Sequence, residues 1–436
     1  MSTYDWSTFG LHIPRILMPK EGTDMYKWAV VACDQFTSEP EYWDEVKKIV
    51  GDAPSTLNLM LPELYLGKAE EEQMIKDIRT AMADYMADGT LTSLPEGCIL
   101  VKRTAEGRER LGIVIATDLD AYDYNKGSQS LTRATEATVV ERIPPRLKIR
   151  EGAPMEMPHI LILIDDPEKS IIEPLAEAEG TIVYDTDLMM DGGHVTGKFI
   201  PEANLEGMKA ALSASYDKAV AKYGDGHVIF QAMGDGNHSL ATAKASWEKI
   251  KAGLSEEEQK THPARFALCE IENVWDDGIV FEPIHRVIFA SKGQSGLELV
   301  KEAVELIKEQ NGEAYLADSK DGIAEGAFAI PYNTAEQSGF IIVPQPRSSK
   351  LTVGVLQNAL DVMVKERGDC EVDYIHGSKA LETLGSKAGN AGFALPAMDK
   401  ADLFPAVAAD GALPRKTFSM GEANEKRYYI EAHLIG

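Results

Sequence analysis

Short apolar runs of strand length alternate with amphipathic helical patterns along the whole chain, which restricts it to a mixed α/β or α+β architecture. The longest such run, Ile160-Leu161-Ile162-Leu163-Ile164, suits a buried core strand and is far too short to cross a bilayer. Residues 69–88 carry Met74, Ile75, Ile78, Met82, Tyr85 and Met86 on one helical face and stop at Gly89. Cys98-Ile99-Leu100-Val101 and Leu111-Gly112-Ile113-Val114-Ile115 flank a Glu106-Gly107-Arg108 turn and read as a hairpin. Further helices are expected at 204–223, 297–310 and 351–367. Further strands are expected at 159–164, 266–270, 279–289, 340–343 and 427–435. The fold class is therefore α/β in the broad sense, with several small mixed sheets and helices.

At 436 residues the chain exceeds what one small core can organise, so two or three domains are expected. No repeat or low-complexity linker marks their limits. Gly/Ser/Lys-rich turns place them at 1–125, 126–290 and 291–436. The 70 acidic residues outnumber the 44 basic ones, a formal charge of −26. Such a field repels nucleic acid and anionic membrane, so neither is an expected partner. Cys33, Cys98, Cys269 and Cys370 lie far apart and form no metal-binding or disulfide spacing, which fits a reducing cytoplasm. The first nineteen residues lack the basic and apolar regions of a signal peptide.

Gly234-Asp235-Gly236-Asn237-His238-Ser239 follows an apolar run at 227–233 and precedes a helical pattern at 240–250. Strand, glycine turn and helix in that order let the backbone approach a ligand and aim unpaired N–H groups at it. An anion, and phosphate above all, suits such a place. Asp235 and His238 add a carboxylate and an imidazole. The same residues also allow a simple turn in which Asn237 or Ser239 caps the helix.

Arg133, Arg142, Arg146, Lys148 and Arg150 fall within eighteen positions of this acidic chain. Guanidinium groups match phosphate oxygens in bidentate fashion. The alternative is a solvated face whose arginines pair with Glu136, Glu141 and Glu151. Glu136 would share a face with Arg133 if that part is helical. His285-Arg286 sits inside an apolar strand pattern and points either to solvent or into a pocket. Lys416-Thr417 follows Gly411 in a loop that suits the rim of a phosphate site or any exposed surface. Gly192-Gly193-His194-Val195-Thr196-Gly197-Lys198-Phe199 matches a P-loop until its last position, where Phe199 cannot hold Mg²⁺. We read it, His194 included, as structural.

Val30-Val31-Ala32-Cys33-Asp34-Gln35, the 133–150 block, the glycine box, Pro283-Ile284-His285-Arg286 and Pro414-Arg415-Lys416-Thr417 occur in an order that resembles a widespread bacterial and archaeal family, domain of unknown function one thousand and fifteen. The resemblance covers nearly the whole chain. The box also looks like the phosphate-binding box of the ParB/sulfiredoxin-type superfamily, which includes kinases of free serine, and implies a core element of that kind. The commoner box reads Asp-Gly-His-His-Arg, so Asn237 and Ser239 depart from it, and the missing arginine removes a fixed cation.

The resemblance implies phosphoryl transfer from ATP, ADP or pyrophosphate to L-serine, giving O-phosphoserine for cysteine synthesis. Gly234, Gly236, Asn237 and Ser239 would cradle phosphate and Asp235 would hold Mg²⁺. Arg133, Arg142, Arg146, Arg150, His285, Arg286, Lys416 and Thr417 would complete the phosphate or nucleotide site. Glu136, Asp235 and His238 are the expected catalytic groups, with Glu136 as base. A non-catalytic sensor of a nucleotide or phosphometabolite, and a phosphate-ester or anhydride hydrolase, remain as the other readings.

Overall fold

The structure, a computed structural model, describes residues 4–125, 127–290 and 293–436. It is mixed α/β, as the alternation predicts, and falls into two compact units. One is Met1–Val280 with Met420–Gly436; the other is Phe281–Ser419.

In the first unit, α1 (Glu71–Ala87) leads into β1 (Leu91–Ala105) and β2 (Arg108–Asp118). This is the expected hairpin, turned at Glu106 and Gly107, both at positive φ. Then follow β3 (Thr132–Arg133), α2 (Ile143–Arg150), β4 (Leu161–Ile164), β5 (Thr181–Leu188), β6 (Gly193–Pro201), α3 (Glu206–Tyr223), β7 (Gln231–Asp235), α4 (Asn237–Lys251) and β8 (Phe266–Asn273). The strands form one eleven-stranded mixed sheet whose main path runs β5-β6-β1-β2-β8-β4-β7-β3 and ends on Tyr122–Asp123. Side chains alternate across it with the period of two that strand geometry imposes. Ile99, Val101, Val114 and Leu268 face one core. Cys98, Leu100, Ile113, Ile115 and Cys269 face the other, together with Leu240 and Trp247 of α4.

The second unit opens with β9 (Phe281–Ala290) and continues through α5 (Gly296–Asn311), β10 (Phe328–Thr334), β11 (Ser338–Val343), α6 (Thr352–Arg367), β12 (Cys370–His376) and β13 (Asn390–Phe393). Its seven-stranded sheet includes the order β11-β10-β13-β9-β12. Leu299, Ile307, Leu356 and Met363 of the two helices pack with Ile330, Ile341 and Phe393 into a separate core.

Two expectations differ from these findings. The boundaries proposed at 126 and 291 fall on residues outside the described ones. Yet β2, before the first boundary, pairs over Gly112–Asp118 with β8, far beyond it, so the sheet spans that position. The strand expected over 427–435 breaks into Tyr428–Tyr429 and His433–Leu434, which pair with Val30–Val31 and Met155–Glu156 respectively. A segment that changes partner so soon cannot extend one ladder. No helix among the described residues is long and apolar enough to cross a membrane. All four cysteines are free thiols.

Candidate functional site

β7 delivers the glycine box. Its register with β4 shifts between Met233 and Asp235, which makes Gly234 the bulge residue. A Cβ there would lie 2.5 Å from the Met420 sulfur and 3.3 Å from the Leu161 carbonyl oxygen, so a larger residue would displace the Met420 side chain. Gly236 then turns the chain into α4 with φ +79°, and no side chain caps the helix. Neither Asn237 nor Ser239 therefore does the capping work that would make the box an ordinary turn. Asn237 Oδ1 is buried without a hydrogen-bond partner, and the His238 carbonyl accepts from Thr242 Oγ1 at 2.7 Å.

Asp235 Oδ1 accepts from the Gly236 N–H at 2.9 Å, and Oδ2 lies 2.9 Å from Lys426 Nζ. Burial alone would raise this carboxyl, but Lys426 and the Gly236 amide hold it below the ordinary carboxylate range. Lys426 thus supplies from the C-terminal segment the cation that the box itself lacks. Sequence reading missed it because nearly two hundred positions intervene. With both oxygens engaged and no group of three acidic, histidine or cysteine ligands among the described residues, the surroundings of Asp235 do not fit a protein-built Mg²⁺ site.

The basic block divides. α2 starts at Pro144-Pro145, whose fixed φ and missing N–H suit a first turn, and it packs against α4. Arg146 and Arg150 consequently line the same cavity as Ser239 and Thr242, a space of about 160 Å³. Arg146 pairs with Glu63, and Arg150 with Glu156 at 2.5 Å. Burial pushes Glu63 up, Arg146 offsetting this only in part. Glu156 is held down at about 2: burial opposes this, but Arg150, His433 and the Leu268 N–H outweigh it. Apolar groups, among them Leu61, Met82, Met155 and Leu268, close the cavity.

The rest of the block lies elsewhere. Arg133 is buried, and burial lowers its pKa. It donates to the Ser130 and His227 carbonyls, at the entry end of β7 rather than the box end. Arg142 is exposed in a short turn, its carbonyl accepting from Arg146 at 2.9 Å. Glu136 and Arg133 do not share a helix face, because Arg133 lies on β3 and Glu136 just beyond it. β3 runs parallel to β7, with Ala232 opposite Arg133, so the two strands leave the sheet at the same end.

His285, Arg286, Lys416 and Thr417 belong to the second unit. Arg286 is buried and donates to Gln357 Oε1 at 2.7 Å and to the Ile284, Arg415 and Lys416 carbonyls. It braces a loop by joining the Arg415 and Lys416 carbonyls to the buried strand. His285 Nδ1 accepts the Leu395 N–H at 3.1 Å, and burial, then Arg286, lowers its pKa. Lys416 is exposed at φ +56°, and Thr417 Oγ1 donates to the Pro414 carbonyl at 2.6 Å.

Two residues at the cavity, His159 and Tyr429, escaped sequence reading. Ser239 Oγ lies 2.7 Å from His159 Nε2, and His159 Nδ1 lies 2.8 Å from Tyr429 Oη. Cys33 closes the chain, its N–H donating to Tyr429 Oη at 3.4 Å. Cys33 was visible only as part of a motif, and nothing local signals His159 or Tyr429. A larger surface depression of about 1170 Å³ carries Glu45, Glu106, Asp187, Asp191 and Glu422. That wall repels phosphate, and His194 beside it bonds Asp185 and Asp187, in keeping with its structural reading.

No curated protein matches the sequence. Several solved structures are similar at low identity. A conserved hypothetical protein from Pyrococcus furiosus is 12% identical with a TM-score of 0.36, over 73% of this chain and 94% of that one. A free serine kinase variant in complex with ADP is 12% identical with a TM-score of 0.38, over 73% and 91%. SbnI with a C-terminal truncation, from Staphylococcus aureus, is 10% identical with a TM-score of 0.35, over 71% and 82%. A family model matches residues 17–363, most of the chain, and the protein belongs to that family, the proteins of unknown function designated DUF1015.

Proposed function

We propose that this protein is a small-molecule kinase that transfers a phosphoryl group from ATP, ADP or pyrophosphate to free L-serine. The observation that carries this reading is the cavity where Ser239, in the first turn of a helix entered through the left-handed Gly236, meets two arginines from a distant helix. Phosphoryl transfer asks mainly for positioning and charge neutralisation. The positive end of the α4 dipole, Arg146, Arg150 and Lys426 are the equipment for it. The resemblance of the box to that of free-serine kinases supports L-serine as acceptor. Glu136, just beyond the strand that leaves the sheet at the same end as β7, is the proposed base. Mg²⁺ enters this reading only with the phosphates of the donor. The test is product analysis: the protein with L-serine, Mg²⁺ and each donor in turn should yield O-phosphoserine, and absence of that product with all three donors rejects the proposal.

One observation favours a non-catalytic sensor. Asp235–Lys426, Arg146–Glu63 and Arg150–Glu156 are closed ion pairs, so a bound anion could act by opening them. Saturable binding of nucleotide by calorimetry without any turnover would support that reading.

A further inference from the structure

Ser239 has a hydroxyl that the helix does not use. Capping belongs to the residue before the first turn, here Gly236, so Ser239 at the third helical position is not used for it, and no side-chain bond closes this helix start. Its Oγ is instead held 2.7 Å from His159 Nε2 and borders the cavity shared with Arg146 and Arg150. We infer that Ser239 is itself phosphorylated: it is the first acceptor of the phosphoryl group, with His159 as its base. The inference rests on the phosphotransferase reading above and adds a covalent intermediate to it.

The hydrogen-bond chain has the geometry this requires. Tyr429 Oη accepts the Cys33 N–H at 3.4 Å and lies 2.8 Å from His159 Nδ1. The tautomer required is the one in which Nδ1–H donates to Tyr429 Oη. Nε2 is then the unprotonated nitrogen, facing Ser239 Oγ–H, an arrangement that activates a serine. A phosphate on Ser239 would sit in the first turn of α4, where the helix dipole favours negative charge.

The atoms balance in two halves. In the first, the Ser239 Oγ–P bond forms as the bridging P–O bond of the nucleotide or pyrophosphate breaks. The Ser239 proton passes to His159 Nε2, and the nucleoside diphosphate, monophosphate or phosphate leaves with the bridging electron pair. In the second, the hydroxyl of the small acceptor attacks the same phosphorus and gives its proton to a carboxylate or to solvent. Ser239 Oγ departs and recovers its proton from His159.

The experiment incubates the full chain with Mg²⁺ and ATP, ADP or pyrophosphate, without L-serine, and maps phosphopeptides by mass spectrometry. L-serine is then added as a chase. We expect one phosphoryl group on Ser239 that is discharged by L-serine, no phosphopeptide in Ser239→Ala, and labelling slowed about 10²–10⁴-fold in His159→Gln. Mapping of the unmutated chain does not depend on how the variants fold. O-phosphoserine production with no phosphate on Ser239, and with full turnover in Ser239→Ala, overturns the inference and leaves the kinase reading standing. Phosphate on Ser239 that L-serine cannot discharge upholds Ser239 as acceptor and overturns L-serine as substrate. Neither label nor product overturns both.

Discussion

Gly236 holds φ +79°, and a Cβ there would lie 3.2 Å from the Ile160 backbone. Gly236→Ala should therefore cost about 1–2 kcal/mol, the strain of a left-handed L-residue, read as a lowered urea midpoint. It should also weaken nucleotide or pyrophosphate affinity, because the turn that aims the helix start would shift; calorimetry checks this. Glu136→Gln should lower turnover about 10²–10⁴-fold with donor affinity little changed, if Glu136 takes the acceptor's proton. Steady-state kinetics separate the two effects, and unchanged turnover removes Glu136 from the base role. The box was legible because its glycines, carboxylate and imidazole are consecutive. His159, eighty positions from Ser239, was not, because a hydrogen bond across a cavity leaves no trace in local spacing.

α2 and α4 bring their polar groups together by packing, and one ion pair on α2 sets a pH dependence. Glu156 is held at about 2 through Arg150, His433 and the Leu268 N–H, against the opposing effect of burial. A carboxyl depressed in the folded state binds its proton more readily when unfolded. Its stabilisation is thus complete above the unfolded value of about 4.3 and is lost as pH falls towards 2. Glu156→Gln should lower stability at neutral pH, with the gap to the unmutated protein closing between roughly pH 4.3 and 2. Denaturation midpoints across that range check it; a gap independent of pH would assign the loss to packing instead. In the second unit, Arg286→Ala should cost about 3 kcal/mol or more, since it removes the hydrogen bonds to Gln357 and several carbonyls. Loss of cooperative unfolding in that unit, followed by hydrogen exchange on β9 and α6, is the expected readout.

Phe281–Ser419 has its own seven-stranded sheet and its own core. Expressed alone, this segment should show native-like circular dichroism and a cooperative thermal transition, because a domain with a complete core folds independently. A non-cooperative melt would contradict that expectation. The first unit is discontinuous and ends with Met420–Gly436. That segment carries Lys426 and Tyr429 to the glycine box and the cavity.

Elements whose periodicity is local and strong could be read directly from the residues. α1, α3, α5 and α6 carry amphipathic or glycine-stopped patterns, and the β1–β2 hairpin carries its turn at Glu106-Gly107. The strand–glycine–helix order of the box also lies within a dozen consecutive residues. What folding alone settled is which distant groups meet. An arginine that donates to main-chain carbonyls, as Arg133 and Arg286 do, has the same letter as one that lines a cavity, as Arg146 does. Burial and hydrogen-bond partners distinguish them, and both depend on sheet order and helix packing. Lys426 beside Asp235, and His159 between Ser239 and Tyr429, exist only because the eleven-stranded sheet and the returning C-terminal segment bring those side chains within hydrogen-bonding reach.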